Sequence, residues 1–115
     1  MTTADFRRMA LALPEAVESA HMNHPDFRVR GKIFATLGYP GTGWGMVKLG
    51  AAQQKRLVAA EPDVWVSAAG AWGRAGATHV HLKAADKATV RKALAVAWSS
   101  TAPKSLARQL DIPPL

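Results

Sequence analysis

The sequence predicts an α+β domain in two layers, a mainly antiparallel sheet with helices on one face. Two observations predict it: helix-period apolar spacing near both ends, and short alternating segments clustered between them at hairpin-like intervals. A chain of 115 residues is enough for one domain over 1–115, burying roughly two thirds of the surface its unfolded form exposes. No second domain is needed.

Thr3 is placed to cap a helix over residues 4–13, where Phe6, Met9, Ala10 and Leu13 share a face, and Pro14 ends it. Residues 16–20 read as a short strand, followed by a polar link from His21 to Pro25. Residues 27–30 and 33–37 form a hairpin around Gly31. A three-residue loop, Arg30 to Lys32, gathers Phe27, Val29, Ile33, Ala35 and Leu37 on one face and leaves Arg28 and Phe34 on the other. A two-residue loop would instead bury Phe34 beside Phe27 and Val29. The larger apolar area favours the first.

The segment from Gly38 to Gly43 is a turn, and residues 44–49 are the next strand. Its glycines lead into a strand rather than opening a helix, so they do not form a phosphate cradle. Residues 51–61 form a helix with Leu57 and Val58 inward and Gln53, Gln54, Lys55 and Arg56 mostly outward. Residues 64–67 and 78–83 are two further strands, joined by the glycine-rich connection around Trp72 and Arg74. Asp86 caps a long helix that aligns Val90, Leu94, Ala97 and Trp98 on one face. Pro103 starts a short helix through Leu110, and the tail has no regular pattern.

With Val47, Leu49, Val64, Val66, Val80 and Leu82 in the core, alternation sends Trp44, Met46, Lys48, Trp65, His79, His81 and Lys83 to the open sheet face. Arg28 and Phe34 join them there. Cations mixed with rings suit phosphates and stacked bases. The competing reading has Trp44 and Trp65 filling a second small core or a dimer seam.

The charge points the same way as the cations: fifteen Lys and Arg against eight Asp and Glu give +7, which attracts phosphate backbones without specifying one. The absence of cysteine excludes disulfides, thiolate catalysis and Cys-ligated metals. His79-x-His81 and His21-x-x-His24 lack a third and fourth ligand, so the histidines read as surface residues and no metal or cofactor is expected. Neither a Gly-x-Ser-x-Gly elbow nor a His-Glu-x-x-His pair is present, and the expected role is non-enzymatic. The apolar run from Met9 to Leu13 is too short for a secretory core of roughly 7 to 15 residues. No stretch approaches the roughly 20 apolar residues of a membrane span, and a cytoplasmic location follows as the expectation.

Four segments in order carry a family resemblance: Asp5-Phe6-Arg7-Arg8 with Leu13-Pro14-Glu15-Ala16, then Phe27 through Ala35, then Trp72-Gly73-Arg74-x-Gly76-x-Thr78, and Ala102-Pro103-Lys104-x-Leu106-Ala107. Together they resemble the MmcQ/YjbR family over nearly the whole chain. The resemblance implies a CyaY-like α+β fold and DNA binding through a double-wing arrangement. Members often carry an aromatic residue where this chain has Ala77. The iron-donor activity of frataxin-like proteins is not implied, because this basic chain lacks their acidic ridge.

Charge, open face and family resemblance converge on a nucleic-acid-binding domain, with DNA the expected partner and a monomer or weak homodimer the expected state. Arg28, Arg30, Lys32, Lys48, Arg74, Lys83 and Lys104 are its candidate phosphate contacts, and Trp72 its stacking ring or wedge. The alternative is a protein-partner or small-ligand module using Trp44, Trp65 and Trp72 along a groove or homodimer seam. A continuous basic stripe favours the first, and an apolar patch without flanking cations the second.

Overall fold

Two-residue turns and short connections string most of the strands into a meander. A computed structural model describes residues 1–113 and 115. Its elements are α1 (Thr3–Leu11), β1 (Val17–His21), β2 (His24–Val29), β3 (Lys32–Leu37), β4 (Trp44–Lys48), α2 (Ala51–Ala60), β5 (Trp65–Ser67), α3 (Gly70–Ala75), β6 (Ala77–His81), α4 (Lys87–Thr101) and α5 (Lys104–Ala107). One sheet runs β1-β2-β3-β4-β6-β5 with every pair antiparallel. The expected α+β architecture is thus observed.

The helix α4 lies against β3, β4 and α1, while α2 packs on β5 and β6. Asp86 caps α4 as expected, its carboxylate accepting from Thr89 N at 3.1 Å. Val90, Leu94, Ala97 and Trp98 are all buried, and Trp98 Nε1 donates to the Pro14 carbonyl at 2.9 Å. Phe6, Phe27, Val47 and Val80 meet them from α1 and the sheet.

Several local expectations are corrected. Thr2, not Thr3, caps α1: its hydroxyl accepts from Asp5 N, and Asp5 accepts from Thr2 N in return. The segment from His21 to Pro25 is no open link. Met22 and Asn23 take φ of 48° and 65°, forming a tight turn that sets His21 opposite His24.

The β2–β3 loop has two residues, not three: Arg30 and Gly31 have φ of 51° and 80°, and Val29 pairs with Lys32. Phe34 is therefore in the core. A register shift then brings Phe27 opposite Ala35, so Ala35 and Leu37 enter the core as well, while Ile33 stays half-buried opposite Arg28. One irregular residue reconciles the two alternatives that the sequence left competing.

In β5 the phase is reversed. Trp65 pairs with Val80 and is buried in the core, whereas Val66 pairs with His79 and is exposed. Gln54 does not face solvent but is buried, donating through Nε2 to the carbonyls of Gly73 and Ala77 at 3.0 and 2.9 Å.

The glycine-rich connection contains a helix, α3, rather than a bare turn. Gly73 and Gly76 have packing reasons: a Cβ would collide with the Ala68 carbonyl oxygen at the first and the Leu49 carbonyl oxygen at the second, where φ is also 122°. The strand β6 ends at His81, so Lys83 lies in a 3-10 turn, Leu82–Ala84, instead of on the sheet.

Candidate functional site

Strand alternation places Ser19, Asp26, Thr36, Met46, His79 and Val66 in one row across the open face, each opposite the next. The middle of that row is buried although no helix layer lies over it. Asp26 is 0% exposed, and Thr36, Met46 and His79 are buried beside it. All four histidines of the chain fall on this face, at His21, His24, His79 and His81. Reading them as plain surface residues is corrected for His79, which is buried, and for His21, which is held by a carboxylate.

That carboxylate is Asp26. Arg28 grips it with two bonds, Nε to Oδ1 at 2.8 Å and Nη2 to Oδ2 at 3.0 Å, and His21 Nδ1 meets Oδ2 at 2.7 Å. The Arg28 hydrogen bonds, with a smaller one from His21, hold the Asp26 carboxyl below the usual carboxylate range despite its burial. Burial has the opposite kind of effect on His79, pushing its imidazole pKa down and favouring the neutral ring. Its Nδ1 is buried without a hydrogen-bond partner.

Above this floor is a pocket of about 480 Å³. His21, Met22 and His24 supply one side from the β1–β2 turn, Thr36, Tyr39 and Met46 come from β3 to β4, and His79 and Trp72 close the other. Trp72 reaches it from α3, whose place is set partly by Gln54 on the Gly73 carbonyl. Its ring is 52% exposed, and Tyr39 is 56% exposed at the same mouth. Tyr39 sits edge-on to His24 with centroids 5.9 Å apart and tilts over His79 at 5.7 Å. Trp44 stacks on His81 at 4.8 Å with planes 16° apart. Among the described residues no group of three or more His, Asp or Glu is arranged to hold a metal ion.

The candidate cations do not gather around the pocket. Arg28 is committed to Asp26, and Arg30 to Glu15 at 2.6 and 2.9 Å, an exposed pair in which Arg30 lowers the Glu15 pKa. Lys48 is exposed on β4, Arg74 on α3 and Lys83 in the 3-10 turn. Arg30, Lys32 and Lys104 do come together, lining a groove of about 580 Å³ with Ser99, Ser100 and Thr101.

The sequence reading missed His21, Asp26 and Tyr39 as site residues. A signal existed in Asn23, whose tolerance of left-handed backbone suits a two-residue turn and would align His21 with His24 and Asp26 on one face.

Among curated proteins, none matches the sequence. A crystal structure of Deinococcus radiodurans protein DR2400, with the family-model domain DUF419, is similar in fold, with a TM-score of 0.78 over 97% of this chain and 89% of that one. At 15% identity the likeness concerns the fold alone. The YjbR family model matches residues 11–100, which span β1 through β6 and nearly all of α4. The chain therefore belongs to the YjbR family.

Proposed function

We propose that this protein is a non-enzymatic binding module whose ligand occupies the pocket on the open sheet face. The observation that carries this reading is the buried Asp26, which joins Arg28 to a pocket histidine. A buried ion pair is a poor source of stability compared with packed hydrocarbon. Here it orients an imidazole at the wall of a pocket whose size suits a small organic ligand. Exposed Trp72 and Tyr39 at the mouth supply contact area for it. Among the described residues no helix is long and apolar enough to cross a membrane, and the reading carries a monomer or weak homodimer acting in the cytoplasm.

The test is a small-molecule screen by protein NMR on the full chain. Ligands should perturb Tyr39, Trp72 and His79 together, and Trp72→Ala should weaken them. Hits confined to other surfaces would refute the pocket as the site.

A second reading, DNA binding, is favoured by the meeting of Arg30, Lys32 and Lys104 at one groove. Phosphate contacts there would make affinity fall steeply with salt. Fluorescence anisotropy at low salt with double- and single-stranded DNA and RNA checks it, and Lys32→Ala with Lys104→Ala should weaken all sequences alike and flatten the salt dependence. An unchanged slope in that double variant would remove the groove from consideration.

A further inference from the structure

We propose that the pocket takes an uncharged, planar aromatic ring bearing an N–H or O–H group, which donates to Nε2 of His21. This rests on the pocket being a ligand site and adds the class of ligand. The argument begins at Asp26. An ionised carboxylate only accepts hydrogen bonds, and Asp26 Oδ2 lies 2.7 Å from His21 Nδ1. The proton of that contact therefore belongs to Nδ1. In its neutral form the ring then has no second N–H, so Nε2 carries a bare lone pair, an acceptor.

The same network argues against a charged ligand. Asp26 is fully covered and its charge is matched by Arg28, so it offers nothing to a cation. None of the eight residues lining the pocket is Asp, Glu, Lys or Arg. An ion entering here would lose hydration without gaining a fixed countercharge.

Shape and softness supply the rest. Tyr39 and Trp72 at the mouth, with the imidazoles of His24 and His79, present ring faces and edges, and Met22 and Met46 add polarisable thioethers. Such walls accept flat apolar faces. The polar capacity sits with the histidines: His21 provides the fixed acceptor, and the buried, unpartnered Nδ1 shows that the His79 ring is not satisfied by the chain. A ring with apolar faces and one polar edge matches this distribution.

Indole, 1-methylindole and indole-3-carboxylate separate the requirements, because they share a bicyclic ring and differ in the donor and the charge. In NMR titrations of the full chain, indole should shift the pocket resonances and bind about tenfold more tightly than 1-methylindole, the worth of one hydrogen bond. Indole-3-carboxylate should bind more weakly than indole. His21→Phe keeps a ring and removes the acceptor, so it should erase the advantage of indole while 1-methylindole still binds. The ¹⁵N shifts of the wild-type His21 ring, which need no variant, should place the proton on Nδ1.

Equal affinity for indole and 1-methylindole would overturn the donor requirement, and tightest binding by the carboxylate would overturn the uncharged class. A proton found on Nε2 would overturn the acceptor. Binding at the pocket without these preferences leaves the site in place and removes only the ligand class; three ligands that perturb no pocket resonance remove the site as well.

Discussion

On the helix-covered face of the sheet the fully buried side chains include Phe27, Val29, Phe34, Val47, Trp65 and Val80, closed over by Phe6 and Trp98. On the opposite face the buried residues are Asp26, Thr36, Met46 and His79, and a pocket stands where a helix layer would be. Hydrocarbon packed on hydrocarbon gains from leaving water and needs no particular partner. A buried carboxylate gains little and requires every hydrogen bond it makes. The helix-covered face supplies most of the apolar burial that stabilises the fold, and the open face holds a polar network that depends on specific partners.

Substitutions on the two faces should therefore differ in kind. The largest loss is expected from Trp98→Ala, which empties a fully buried site and removes the bond to the Pro14 carbonyl. It should cost about 3–5 kcal/mol in urea unfolding. A loss below about 1 kcal/mol would mean that α4 does not seal this core.

Next is Asp26→Ala, which strands the half-buried Arg28 and frees His21. About 2 kcal/mol is expected, below the usual range for a broken buried pair because Arg28 retains contact with water. The same carboxylate gives a pH signature. Its folded pKa lies below the unfolded value of roughly 3.9, so its contribution is fully present above that value and is lost as pH falls through the lower folded value. Between pH 5 and 2 the wild type should thus lose stability more steeply than Asp26→Asn, as followed by thermal unfolding. Parallel curves would remove Asp26 from the acid response.

Gln54→Ala removes two buried hydrogen bonds and leaves two carbonyls without that partner. It should cost about 1–2 kcal/mol and displace α3, seen as lost amide protection around Trp72. The smallest effect on stability is expected from Trp72→Ala, under about 0.5 kcal/mol because the ring is half exposed. The same change should reduce ligand binding, and an unaltered affinity would separate Trp72 from the site.

The sequence made the helix-covered face more legible than the pocket, and particular residues explain why. The helical periodicity of Val90, Leu94 and Trp98 extends over more than two turns, with Asp86 as a cap, so local chemistry and burial agree. The strand β5 has only three residues, too few for alternation to choose between Trp65 and Val66, and tertiary packing places the larger ring inward. Phe34 depended on the two-residue loop, and Ala35 and Leu37 on a register shift that no periodic pattern displays. The pocket was harder still, because His21, Tyr39, Trp72 and His79 come from the end of β1, the β3–β4 connection, α3 and β6. Single histidines carry no mark of the carboxylate that will orient them.

The strand order has a consequence for assembly. The strands β1 to β4 pair each with its neighbour in sequence, whereas β6 must cross α2, β5 and α3 before it reaches β4. Local hairpins close at low entropic cost and distant pairings form later. The β1–β2 turn, with His21 and His24, belongs to the early part, and His79 arrives with β6. Ligand competence should consequently appear only at the last stage of refolding, making recovery of the pocket a clock for the docking of β6.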